Sequence, residues 1–291
     1  MTDEKKAVKK KLNLPIWARI VLFIISYLIL SGVFQAIAAP LANINILDVD
    51  SVKNLNSEQL LLMQFVSFLA LILLVFIFRK YIDKKSIKSL GFSIKHRLKD
   101  IAIGFIFALS IIGGGSLFLY AFNFVEFSDF QINTYSIIVS LLLFIVVAFN
   151  EEILIRGYIL NNLMSSMNKY IALIISAIIF TLFHALNSSF SLLPIINILL
   201  AGILLGSTYI FTKNLWFPIS LHLFWNFFQG PIMGYSVSGQ KTESMFKTTL
   251  FGDIRIHGGD FGFEGSIVCT IMLSIAIILI IKYYKTITNE E

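Results

Sequence analysis

Residues 136–156 read SIIVSLLLFIVVAFNEEILIR, and this stretch decides how the chain folds. Its first 15 residues carry no charge; Glu151 and Glu152 then follow side by side, with Arg156 four positions beyond Glu152. Apolar runs of about 20 residues cross a bilayer as helices, and a charged side chain at mid-membrane costs about 2.5–3.5 kcal/mol on insertion scales. If the helix continues through residues 158–163, the acidic pair lies well inside the bilayer. Glu152 and Arg156 then share a face at i, i+4 and can pair. Glu151 is turned about 100° away, so one carboxylate is neutralised while the other points elsewhere, toward a cavity. A carboxylate in that position is suited to act as a general base. The plainer readings are an inter-helix salt bridge without chemistry, or a helix end at the membrane interface.

The rest of the chain asks for the same solvent. Of its 291 residues 57% are apolar and 14% charged, with 28 Phe and a mean hydropathy of +0.84, against about 25% charged in soluble domains. An ordinary soluble globule and a disordered chain are both excluded. Long unbroken runs also argue against a membrane β-barrel, whose short strands alternate. The expected fold class is all-α: a polytopic transmembrane helical bundle of about eight spans, at residues 16–39, 58–78, 101–124, 135–157, 170–187, 191–212, 216–230 and 266–283. Cys269 is the single cysteine and sits in an apolar run. It reads as a small buried hydrophobe, and no intrachain disulfide, Cys-based zinc knuckle or iron–sulfur site can be built.

The net charge of +6 has a topological origin. The N-terminal arm to Arg19, alternate connections and the tail hold 19 of the 23 Lys and Arg residues, while the other segments hold only Lys53, Lys241, Lys247 and Arg255. Positive charge is retained on the cytoplasmic side, so both termini are expected there. Basic loops then need no nucleic-acid partner, and the expected partner is the lipid bilayer. Abundant Ile, Lys and Asn suggest an AT-rich bacterium, hence a multi-pass protein of a bacterial plasma membrane. The start resembles a signal peptide, with a basic arm, an apolar stretch and Ala36-Ile37-Ala38-Ala39. Its length and the spans that follow favour an uncleaved first span.

Three parts are expected along the chain: the basic arm and first three spans at 1–134, a core at 135–230, and an external loop with the last span at 231–291. The loop at 229–265 is rich in Gly and Ser and reads as a flap or a disordered connection. Residues 87–98 mix apolar and basic side chains, as at a cytoplasmic interface. Gly113-Gly114-Gly115 and the Gly202, Gly206 pair are small-residue sites where helices approach closely.

Two further polar groups interrupt apolar spans. Phe180 and His184 lie one helical turn apart, as do His222 and Asn226. Alone, each histidine could be hydrogen-bonded packing. His222 could otherwise move a proton or ligate a metal, and the Asn226 amide could donate to a developing oxyanion. Three costly sites in consecutive spans point to function, because intramembrane ionisable residues are functional candidates by default.

Glu151-Glu152-xxx-Arg156, Phe180-xxx-His184 and His222-xxx-Asn226, in that order, resemble the EExxxR, FxxxH and HxxxN motifs of the CPBP family, the CAAX protease and bacteriocin-processing (Abi) membrane proteins. The resemblance covers roughly residues 135–230. It implies an eight-helix intramembrane endopeptidase of the glutamate-dependent kind, whose partner is a membrane-associated peptide or protein substrate: a prenylated C-terminus, a pheromone or a bacteriocin peptide. Carried across, Glu151 is the base that activates water, assisted by His184; His222 and Asn226 line an oxyanion site. Glu152 and Arg156 orient the base and hold the helices, and Phe180 packs against the site. Prenyl-protein relatives imply access from the cytoplasm.

No cofactor is expected. The zinc-protease signature HExxH is absent, although Glu151, His184 and His222 plus a water would make a catalytic zinc set as the alternative. Competing functions are a non-catalytic immunity or regulatory protein of the same family, and a proton-coupled transporter using the buried Glu and His groups. One depth conflict stands out: His222 lies near the start of its span and His184 near the end of its own, although both spans enter from the same side.

Overall fold

A computed structural model describes residues 14–48, 51, 55–95 and 97–288. Lys5, Lys6, Lys9, Lys10, Lys11, Lys53 and His96 therefore lie outside the described residues. The chain is a bundle of helices: α1 (Ile16–Ala42), α2 (Ser57–Asp83), α3 (Leu98–Ala121), α4 (Thr134–Leu163), α5 (Lys169–Phe183), α6 (Leu192–Thr212), α7 (Trp216–Phe227) and α8 (Ile267–Thr288). Six are long and apolar enough to cross a membrane: α1, α2, α3, α4, α6 and α8. The two other expected spans are helices too, but short: α5 has 15 residues and α7 has 12, extended by a turn at Phe228–Ile232.

Apolar composition sets where helices form, and Asn residues set where three of them begin. Asn56 accepts from Gln59 N while the Gln59 side chain accepts from Asn56 N, which closes a capping box on α2. Asn133 and Asn168 cap α4 and α5 by accepting from Ser136 N and Tyr170 N. Outward faces remain apolar: Ile29 is 63% exposed, Leu117 67% and Ile278 64%. Such belts are stable against lipid, where backbone groups must be satisfied within helices.

Helix α7 is the hub, packed on α3, α4 and α6; α2 joins α1 to α4, and α6 joins α5 to α8. Close approach is licensed by small residues. A Cβ at Gly202 would meet Ala177 Cβ at 3.0 Å, one at Gly206 Leu173 Cδ1 at 2.4 Å, and one at Gly115 the Phe263 ring at 2.3 Å. The interfacial stretch after α2 forms a short turn at Ile87–Leu90 whose Leu90 is buried.

The expected flap or disordered connection is instead a packed cap. Gln229, Tyr235, Phe261 and Phe263 are buried within it. Its strand β2 (Lys247–Leu250) pairs antiparallel with β1 (Val125–Ser128), Val125 opposite Leu250. Aromatic anchors, rather than Gly and Ser content, decide the order of this loop: Tyr235 contacts both Phe127 and Phe263.

Candidate active site

Helix α4 runs unbroken from Thr134 to Leu163, so the acidic pair does lie inside a span. Directly after Glu152 the backbone widens into a π-helix at Ile153–Leu160, a form that accompanies functional sites. Glu152 and Arg156 are both fully buried, and Arg156 Nη1 donates to Glu152 Oε1 at 2.8 Å. Arg156 Nη2 also donates to Gly202 O at 3.0 Å, and the guanidinium sits 4.5 Å from the Phe180 ring centre. One guanidinium thus ties α4 to α6 and, through the ring, to α5.

The histidines are oriented by their Nδ1 atoms. His222 Nδ1 donates to Glu152 Oε1 at 2.8 Å, since the carboxylate can only accept. His184, the C-cap of α5, places Nδ1 2.8 Å from the Phe180 carbonyl and donates to it for the same reason. Each Nε2 is thereby turned inward. Glu151 Oε2 stands 3.9 Å from His184 Nε2 and 3.9 Å from His222 Nε2. It is buried without a protein hydrogen bond, although the rest of the side chain reaches open space and is 27% exposed. Three acceptors, an oxygen and two ring nitrogens, therefore face one point, which suits a donor of two protons such as water.

Glu151 and both histidines border one cavity of about 570 Å³, within the usual range of roughly 300–1,000 Å³ for ligand sites. Its wall includes Glu151, Phe180, His184, His222 and Asn226; Glu152 and Arg156 stand behind it. The seven residues singled out in the sequence are thus assembled at one place. The depth conflict is resolved by α7, which begins inside the bundle: Leu215, just before it, lies against Gly157 of α4, where a Cβ would meet Leu215 Cδ1 at 3.4 Å. His222, two turns further, reaches Glu152.

Two pairs at the site were not anticipated. Asn150 Nδ2 donates to Tyr27 Oη at 3.0 Å, which fixes α1 beside Glu151. Glu264, in the cap, accepts from Trp225 Nε1 at 2.9 Å and from Ser238 N and Oγ at 2.7 and 2.8 Å. Asn150 carried a signal, as a polar residue adjoining the acidic pair in an apolar run. Glu264 carried none, because its partners are distant in sequence.

The zinc alternative meets a looser geometry. Zinc bonds of about 2.0–2.2 Å bring ligand atoms closer together than the 3.9 Å seen here, and among the described residues no group of three His, Cys, Asp or Glu is placed to hold a metal ion.

Comparison with known proteins reaches the same region. Residues 133–228 match the family described as type II CAAX prenyl endopeptidase Rce1-like. A search of curated proteins gave no match. The matched third of the chain covers α4 to α7, the elements that supply all seven site residues, and supports a CAAX-type intramembrane protease fold there; the family is generally peptidase.

Proposed function

We propose that the chain is an intramembrane endopeptidase that hydrolyses a peptide bond of a membrane-associated protein or peptide with water activated by Glu151. The observation that carries this reading is the convergence of Glu151 Oε2 with both imidazole Nε2 atoms on the wall of one cavity. A water between them donates one proton to Glu151 and one to an imidazole, which aims its lone pair at a carbonyl carbon in the cavity. Glu151 takes the proton as the new C–O bond forms, and returns it to the amine as the C–N bond breaks. Asn226 supplies an amide donor to the oxyanion, and His222 a second when its Nε2 is protonated. A preorganised donor of this kind is worth about 2.7–4 kcal/mol. Glu152 and Arg156 touch no substrate; they hold His222 and the helices in place.

The test is purified protein in lipid with candidate peptides, scored by mass spectrometry of the products. Glu151→Ala and His184→Ala are expected to abolish cleavage while the chain still folds. Full cleavage by both variants would overturn the proposal and favour a non-catalytic regulatory role. A zinc chelator added to the wild type is expected to leave the rate unchanged.

A further inference from the structure

The cavity has a direction. Among the described residues, every wall residue from a connection between helices belongs to the Lys- and Arg-poor side: His184, Leu186, Asn187 and Ser188 after α5, and Val237, Ser238, Gly239, Gln240, Thr242 and Glu264 in the cap. None comes from the connections after α2, α4 or α6, on the side that carries Lys84, Lys85, Lys88, Lys95, Lys169 and Lys213. The helices agree. Gln35 lies near the end of α1, and Leu60 and Gln64 in the first two turns of α2, all at the charge-poor end. At the other end, Arg79 is fully buried and donates to Gly157 O and Asn161 Oδ1 at 3.0 and 2.8 Å, which ties α2 to α4 beneath the site.

We propose that this cavity opens to the non-cytoplasmic side of the membrane, and that the substrate is an internal peptide segment presented in the outer leaflet or at its surface. This rests on the peptidase reading for the word substrate, but the direction of opening does not. Access is therefore opposite to that expected of prenyl-protein relatives. The wall chemistry agrees. Apart from the two histidines, its charged side chains are acidic, Glu151 and Glu264, and it holds no Lys or Arg. A free C-terminal carboxylate, as on a cytosolic tail, would meet no fixed cation there. Side-chain amides at Gln35, Gln64, Asn187 and Gln240 offer instead the donors and acceptors that a peptide backbone needs. Leu28 and Leu186, 54% and 98% exposed, continue the wall toward lipid on α1 and just after α5, where an apolar flanking segment can rest.

Cysteine labelling of the full chain in intact cells tests this. The native Cys269 is fully buried and supplies no background. Gln240→Cys, on the rim, and Glu151→Cys, at the floor, are expected to react with a membrane-impermeant charged thiol reagent added outside. Lys95→Cys is expected to react only after the membrane is opened. Gln64→Cys, on the wall and apart from the chemistry, repeats the measurement if Glu151→Cys fails to accumulate. Labelling of Lys95→Cys in intact cells would overturn the proposal. So would floor and wall cysteines that react only in inverted vesicles, or from neither side. Absence of any cleavable peptide with this labelling pattern intact would defeat the peptidase reading and leave the orientation standing.

Discussion

The Glu152 carboxylate accepts from Arg156 and from His222, both buried. Removing one partner of such a pair leaves an uncompensated charge in a dry interior, at a cost of about 3–5 kcal/mol. Glu152→Ala is therefore expected to lower stability by about that amount, measured by denaturant or thermal unfolding in detergent micelles. Glu151→Ala is expected to change stability by less than about 0.5 kcal/mol, because its Oε2 has no protein hydrogen bond to lose. A large stability loss in both would contradict the division of labour between the neighbours. The geometry behind that expectation was legible in sequence: four positions separate Glu152 from Arg156, and one position turns Glu151 away. The two imidazoles were legible as costly side chains in lipid, but not their common aim. Their Nδ1 partners, one a carboxylate on another helix and the other a carbonyl one turn back, are what fix it.

Helices hold these residues in register through backbone contact, and Gly104 shows how close that contact is. A Cβ on Gly104 of α3 would stand 2.8 Å from Leu221 N and 2.9 Å from Phe217 O, both backbone atoms of α7. Backbone cannot rotate aside as a side chain can, so α3 and α7 must part, and α7 carries His222. Overpacking of this kind costs about 1–3 kcal/mol. Gly104→Ala is expected to lose that much stability and most of the cleavage rate. Gly114→Ala, whose Cβ would meet only Met272 Cε at 3.4 Å, is expected to lose neither. Equal activity of the two variants would show that the α3–α7 approach does not position the site. Sequence pointed to Gly113-Gly114-Gly115 and to the Gly202, Gly206 pair because spacing marks them, whereas Gly104 stands alone in its run. The π-helix after Glu152 and the deep start of α7 were equally silent, since tertiary contacts decide both.

At the scale of the whole molecule, the cap supplies one wall of the chamber between the helices, and Glu264 joins the two. Its carboxylate holds Trp225, which lies between His222 and Asn226 on α7, and Ser238, on the cap's inner edge. Asn197 of α6 strengthens the same joint by donating to Glu264 O and Ser266 O at 2.7 and 2.8 Å. Leaving a buried donor without its acceptor costs about 1–3 kcal/mol, and Glu264→Ala strands Trp225 Nε1 and Ser238 N together. The expected result is local: the cap segment that carries Lys241 and Lys247 opens more often, while the bundle stays folded. Trypsin added outside intact cells should then cut at these lysines several-fold faster than in the wild type. Glu264→Gln keeps one carbonyl acceptor and should fall between. Cleavage at the wild-type rate in Glu264→Ala would mean that the aromatic contacts of Tyr235 and Phe263 hold the cap without it. Faster cutting from outside would tie the cap's stability to the same face of the membrane on which the chamber opens.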